Sequence, residues 1–241
     1  MAGIGFELRK LLKKQTYSGL LQAYAFAGII SSGPWVLSII GIMLIGMFSL
    51  GAISPKEAIS QFQVTVTYLF LMSLIGTGIV QLSFTRFVAD RTFEKNEALI
   101  LPNFNGLILV AIGVSIALSL PFVAFLFPQQ TVLYRMLFVM GLAIMSAIWI
   151  STVFLTGLKH YRAIVLIFFL GYGATLILAL AFRPLFGMDG LLLGFVLGHY
   201  FLLMGMIWLV YSNYQSDQFI AFDIWKPRAM SLPYVMVDDP P

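Results

Sequence analysis

"GLLQAYAFAGIISSGPWVLSIIGIMLIGMFSL", residues 19–50, runs for about thirty positions without a charged side chain. Eighteen or more such residues cross a ~30 Å hydrocarbon layer as a helix. One straight helix over 20–50 would reach about 46 Å at 1.5 Å per residue, well beyond that layer. Ser31, Ser32, Gly33 and Pro34 sit near its middle. Pro34 has no N–H, so the carbonyl of Ile30 loses its usual donor. Serine hydroxyls satisfy backbone groups freed in broken membrane helices, and Gly33 lets another backbone come near. The stretch predicts a kinked membrane helix whose bend faces the bundle interior, as a hinge or a cavity wall.

The rest of the chain repeats the apolar theme. Of 241 residues, 60% are hydrophobic and 10% charged, and the mean hydropathy is +0.96. A soluble domain carries about 25% charged residues, so this chain has too few to cover a surface facing water. The first span is 19–48, and five more are expected at 62–86, 102–126, 132–157, 163–182 and 190–212. Alternating strands of a membrane barrel are absent. The fold class is all-α, a polytopic membrane helix bundle of about six transmembrane helices. Residues 1–18 precede the bundle, 19–212 form it, and 213–241 make a tail.

Lys and Arg set the orientation. With the N-terminus inside, the inner segments hold eleven of the 14 basic residues and the outer loops hold Lys56, Arg135 and Arg183. The positive-inside rule then puts both termini in the cytosol. Residues 4–15, "IGFELRKLLKKQ", place Ile4, Leu8, Leu11 and Leu12 on one helical face and Arg9, Lys10, Lys13 and Lys14 elsewhere. That pattern suits an amphipathic helix on the membrane surface or against a partner. The net charge of +4 therefore reads as topology and anionic lipid rather than nucleic acid.

Catalysis finds little support. There is no cysteine, hence no disulfide, thiol nucleophile or thiolate metal site. No P-loop, GxSxG, HExxH or paired acid and base is present. We expect no enzyme, no metal and no cofactor. His199 is the one ionisable group well inside a span, a functional-site reading by default against that of a neutral histidine bonded to a neighbouring helix. Tyr200 beside it offers a ring on which a sugar could stack. Tyr24, Gln81, Asn103 and Asn105, with nearby Ser and Thr, are neutral hydrogen-bonding groups able to line a sugar-compatible cavity or to join helices. Gly190, Gly194 and Gly198 recur every four residues on one helix face. Small residues so placed allow close helix approach, within the chain or between chains.

"MAGIGFELRKLL" followed by "YAFAGIISSGPWVLSIIGI" resembles the opening of the PelG family. That family belongs to the multidrug/oligosaccharidyl-lipid/polysaccharide flippase superfamily, with the Wzx flippases and MATE exporters. The likeness extends to about "FDIWKPRAM". It implies export of the Pel polysaccharide, a galactosamine-type polymer, across the bacterial inner membrane. It also implies the partners PelD, PelE and the glycosyltransferase PelF. Superfamily members have about twelve spans in two lobes that rock about a shared cavity. Six spans correspond to the N-terminal lobe, and "SLPYVMVDDPP" is expected to be a truncated or frameshifted end. Two further readings stay open: a non-transporting subunit that recruits a glycosyltransferase, and a dimeric six-span exporter of small molecules that uses His199.

Overall fold

The computed structural model describes residues 37–49, 57–156 and 161–225, together with Tyr17, Ser18 and Leu20. The expected hinge at Ser31, Ser32, Gly33 and Pro34 lies outside the described residues. So do Tyr24, the basic helix with Arg9, Lys10, Lys13 and Lys14, and the tail beyond 225. Among the described residues there is no strand. Five helices follow one another: α1, Leu37–Ser49, then α2, Glu57–Phe93, α3, Ile100–Leu126, α4, Val132–Thr156, and α5, Tyr161–Asn213. The architecture is an all-α bundle of membrane helices. α2 to α5 are each long and apolar enough to span a bilayer.

The helices do not match the expected spans one for one. α2 runs past both ends of 62–86, and its 37 residues make about 55 Å. Charged residues such as Arg86, Asp90 and Arg91 ended the apolar pattern but not the helix. It closes at 93 with a Schellman cap, in which the Asn96 N–H bonds the Arg91 carbonyl at 2.9 Å and the Lys95 N–H bonds that of Thr92 at 3.2 Å. This puts Lys95 at φ 56°, a conformation glycine normally fills. Pro121 does not end α3, which continues to Leu126.

The greatest departure is α5. The sequence reads "RPLFGMDG" (183–190) as a loop between two spans, yet helical geometry continues through it except at Gly187, with φ 57° and ψ −124°. No L side chain tolerates that conformation readily. Unbroken, 53 residues would extend about 80 Å, far beyond a bilayer. Gly187 instead reverses the chain into two antiparallel arms, 161–186 and 188–213, each about 39 Å long. A Cβ added at Gly190 would meet Phe182, one at Gly194 would meet Ala179, and one at Gly198 would meet Thr175. Rising on one arm while falling on the other, these pairs define a hairpin.

α4 is the axis. Of its apolar stretch 72% is buried, against 22–33% for α2, α3 and α5. α2, α3 and α5 each pack along α4, while α2 and α3 meet only sparsely. Lipid tails are as apolar as leucine, so close packing and hydrogen bonds hold such a bundle rather than exclusion of water. Aromatic side chains gather near the two ends of α4. Phe122, Phe127, Tyr134 and Phe138 cluster at one end, with ring centroids 5.3–5.8 Å apart. Phe84, Phe104, Phe154 and Tyr214 cluster at the other, at 5.1–6.2 Å.

Candidate functional site

Polar side chains are few, and most join helices. Trp149 Nε1 on α4 donates to Ser73 Oγ on α2 at 2.9 Å. Ser115 Oγ on α3 donates to Ser146 Oγ on α4 at 2.7 Å, and the Thr65 and Tyr134 hydroxyls lie 2.9 Å apart. Interhelical bonds in membranes average about 0.6 kcal/mol, so together they fix register more than they add stability. Other hydroxyls turn back on their own helix. Thr77, Thr85, Ser151 and Thr152 each donate to the carbonyl four residues earlier, at 2.7–2.8 Å. Gln81 donates to Thr77 Oγ1 at 2.7 Å. One face of α2 thus carries a ladder, Ser73–Thr77–Gln81–Thr85, at the four-residue spacing of a helix ridge.

Beside this ladder α2 and α3 part. A cleft of about 70 Å³ opens between them, lined by Met72, Gly76, Thr77, Val80 and, from α3, Ala111 and Ser115. Leu142 and Ile150 of α4 form its floor. Its walls are mostly apolar. Among the described residues no three His, Asp or Glu come together as a metal site would require.

His199 lies on the second arm of α5 and is 1% exposed. Its ring packs against Phe195, Tyr172 and Phe70, with centroids 4.0, 5.4 and 6.2 Å away. Nδ1 is 2.9 Å from the Phe195 carbonyl and 3.5 Å from Thr175 Oγ1. A carbonyl only accepts, so Nδ1 carries the proton and Nε2 is the bare acceptor. Nε2 has no hydrogen-bond partner, and an orphaned buried group costs about 1–3 kcal/mol. Tyr200 points the other way and is 44% exposed, because neighbouring helix residues sit about 100° apart. The two sequence neighbours therefore face different surroundings, His199 the bundle interior and Tyr200 its outside.

The glycine face of the second arm closes on the first arm. A Cβ at Gly190, Gly194 or Gly198 would come within 3.0 Å of the backbone of Phe182, Ala179 or Thr175. Gly171 on the first arm stands equally close to the Leu202 side chain. The contact lies within the chain, between consecutive arms, one of the two arrangements the spacing left open.

Asn103 and Asn105 hold a strap that follows α5. Asn103 Nδ2 donates to the Leu99 carbonyl at 2.8 Å and to Asp223 Oδ2 at 3.2 Å, and its Oδ1 accepts the Ile224 N–H at 3.1 Å. Asn105 Nδ2 donates to the Phe219 carbonyl at 2.8 Å, and its Oδ1 accepts the Tyr211 hydroxyl at 2.9 Å. The Ala221 N–H bonds the Pro102 carbonyl at 3.0 Å. Gly106 provides the clearance, since a Cβ there would strike the Ala221 carbonyl and the Phe222 ring. Residues 214–225 therefore cross the start of α3 as a tied strap. No local pattern announces it, because the strap residues and the asparagines that hold them lie 114–121 positions apart. Burial, aided by the Glu97 carboxylate, raises the Tyr214 hydroxyl above its ordinary 10.0.

Comparison with known proteins adds the family. One family model, described as "PelG: Putative exopolysaccharide Exporter (EPS-E)", matches residues 1–237. No curated protein and no solved structure matches. That family is one of exporters rather than enzymes, and an all-helical apolar bundle is compatible with membrane export. With essentially its whole length matched, this membrane protein belongs to the PelG family of exopolysaccharide exporters.

Proposed function

We propose that the chain forms one lobe of a transporter that carries an exopolysaccharide out of the cytoplasm across the bacterial inner membrane, with both termini cytosolic. One observation carries the lobe reading: α4 fills the bundle axis and is its most buried helix. A polymer has no room to pass along that axis, so its path runs over an outer face that a second lobe must complete. Two lobes about a midplane site are the common transporter plan. Arg86, Arg91 and Lys95 lie at the bundle end that holds the strap, while Arg135 and Arg183 lie at the other. The positive-inside rule makes the strap end cytosolic. The partners this reading names are the inner-membrane proteins PelD and PelE and, at the cytosolic side, the glycosyltransferase PelF.

The test is complementation. In cells lacking their own transporter of this family, this chain alone leaves secretion absent. Co-expression with a second six-span lobe restores it. Secretion restored by this chain alone, as a monomer, defeats the lobe reading.

A further inference from the structure

We infer that the hollow between the start of α3 and the strap is a carbohydrate-binding subsite for neutral or amino-bearing sugar residues. The inference rests on the export reading above and adds a location to it. The hollow measures about 340 Å³ and is open, near the lower bound of about 300 Å³ for small-molecule sites. Its walls include Asn105, Tyr211, Gln215, Asp217, Gln218 and Phe219.

Three features match the chemistry of a pyranose. First, of the three aromatic residues in its lining, two are exposed, Tyr211 at 41% and Phe219 at 70%, while Tyr214 is half-buried. Such rings present flat apolar faces to the C–H face of a sugar ring. Asn105 ties both residues in place, through the Tyr211 hydroxyl and the Phe219 carbonyl, and leaves the ring faces open. Second, the side chains of Gln215, Asp217 and Gln218 border the hollow. These planar groups make no side-chain hydrogen bond among the described residues. They offer the donors and acceptors that a ring of hydroxyls needs. Third, Asp217 is the one charged residue of the lining. A protonated amino substituent would pair with it and would gain from the aromatic faces. A uronic acid would be repelled. Among the described residues singled out earlier for substrate binding, Asn105 alone belongs to this hollow, and it acts here by positioning the two rings.

The experiment measures binding to the purified full chain in lipid nanodiscs, read by intrinsic tryptophan fluorescence and by calorimetry. The probes are a glucosamine hexamer, an N-acetylglucosamine hexamer and a galacturonate hexamer. Both amino-sugar hexamers are expected to bind and the galacturonate hexamer is not. Phe219→Ala should weaken both hexamers about tenfold. Asp217→Asn should weaken the glucosamine hexamer about fivefold and leave the acetylated one unchanged. Phe219 and Asp217 are exposed, so both variants should fold, and unchanged far-UV circular dichroism checks this. Binding that neither variant alters, no binding of either amino-sugar hexamer, or equal binding of galacturonate overturns the subsite. The export reading fails separately, if cells lacking the chain secrete normally. Absent hexamer binding together with lost secretion in such cells leaves export standing and removes the subsite.

Discussion

Gly194→Ala and Gly173→Ala make the same chemical change on the two arms of α5 and should move stability in opposite directions. In a helix interior, alanine is favoured over glycine by about 0.8–1.0 kcal/mol, and both variants gain this. Gly173 has nothing within 4 Å of an added Cβ, so its gain stands alone. At Gly194 the new carbon would come within 3.0 Å of backbone atoms of Leu178 and Ala179. Backbone cannot rotate aside as a side-chain end can, so the arms must part. Overpacking of this kind costs about 1–3 kcal/mol, and parting at Gly194 also loosens Gly190 and Gly198 on the same face. Subtracting propensity from overpacking leaves Gly194→Ala destabilised by up to about 2 kcal/mol and about 1–3 kcal/mol below Gly173→Ala, since the propensity gain is common to both. The assay is reversible SDS unfolding of purified protein in mixed micelles, followed by circular dichroism. If the two alanines fall within about 0.5 kcal/mol of each other, within the usual error of such comparisons, the backbone-contact account of the hairpin is wrong.

Three other outcomes follow from single sites. His199→Leu keeps the volume of the ring while removing the orphaned Nε2, so stability should stay within about 1.5 kcal/mol. His199→Ala leaves a cavity in the same cage and should lose about 2–5 kcal/mol; equal losses in SDS unfolding would mean that Nε2 has a partner. Lys95→Gly relieves the left-handed residue of the α2 cap and should stabilise by up to about 1 kcal/mol, seen as a higher midpoint in thermal unfolding, whereas Lys95→Val should lower it. Tyr214 has a folded-state pKa above its ordinary 10.0, so folding favours its protonated form. Its contribution is complete below pH 10 and is lost as pH rises through the raised folded value. Tyr214→Phe should therefore flatten part of the alkaline loss of stability in a pH series of unfolding midpoints, and an unchanged slope would refute the assignment.

The sequence made the class of fold plain because composition alone forces it. A chain with 10% charged residues cannot face water, and uncharged runs of about twenty residues cross a bilayer as helices. Charge was a poor guide to helix ends. α2 continues through Arg86 and Arg91 because hydropathy marks where lipid stops, not where backbone hydrogen bonding stops. The reversal at 183–190 was visible as a turn, but its compactness was not. A single residue with positive φ makes it, and nothing in the pattern says that one suffices. The glycine spacing announced a seam and left its partner unnamed. Asn103 and Asn105 were legible only as hydrogen-bonding amides. The atoms they bond include backbone and side-chain atoms of a distant strap with no periodicity of its own, which no local pattern announces. The separation of Tyr200 from His199 follows from helix geometry alone, once the segment is known to be helical.

The α5 hairpin also decides where this bundle is stiff and where it is compliant. Its arms touch through bare backbone along the glycine face, so separating them would break a whole row of contacts at once. The α2–α3 side is different in kind: the two helices meet sparsely and a cleft already divides them, although each packs along α4 with one or two side-chain hydrogen bonds to it. The bundle is in effect a beam with one soft joint. Among the described residues the packing resists a change of shape least at that joint, and the strap tied across the start of α3 lies at one end of it.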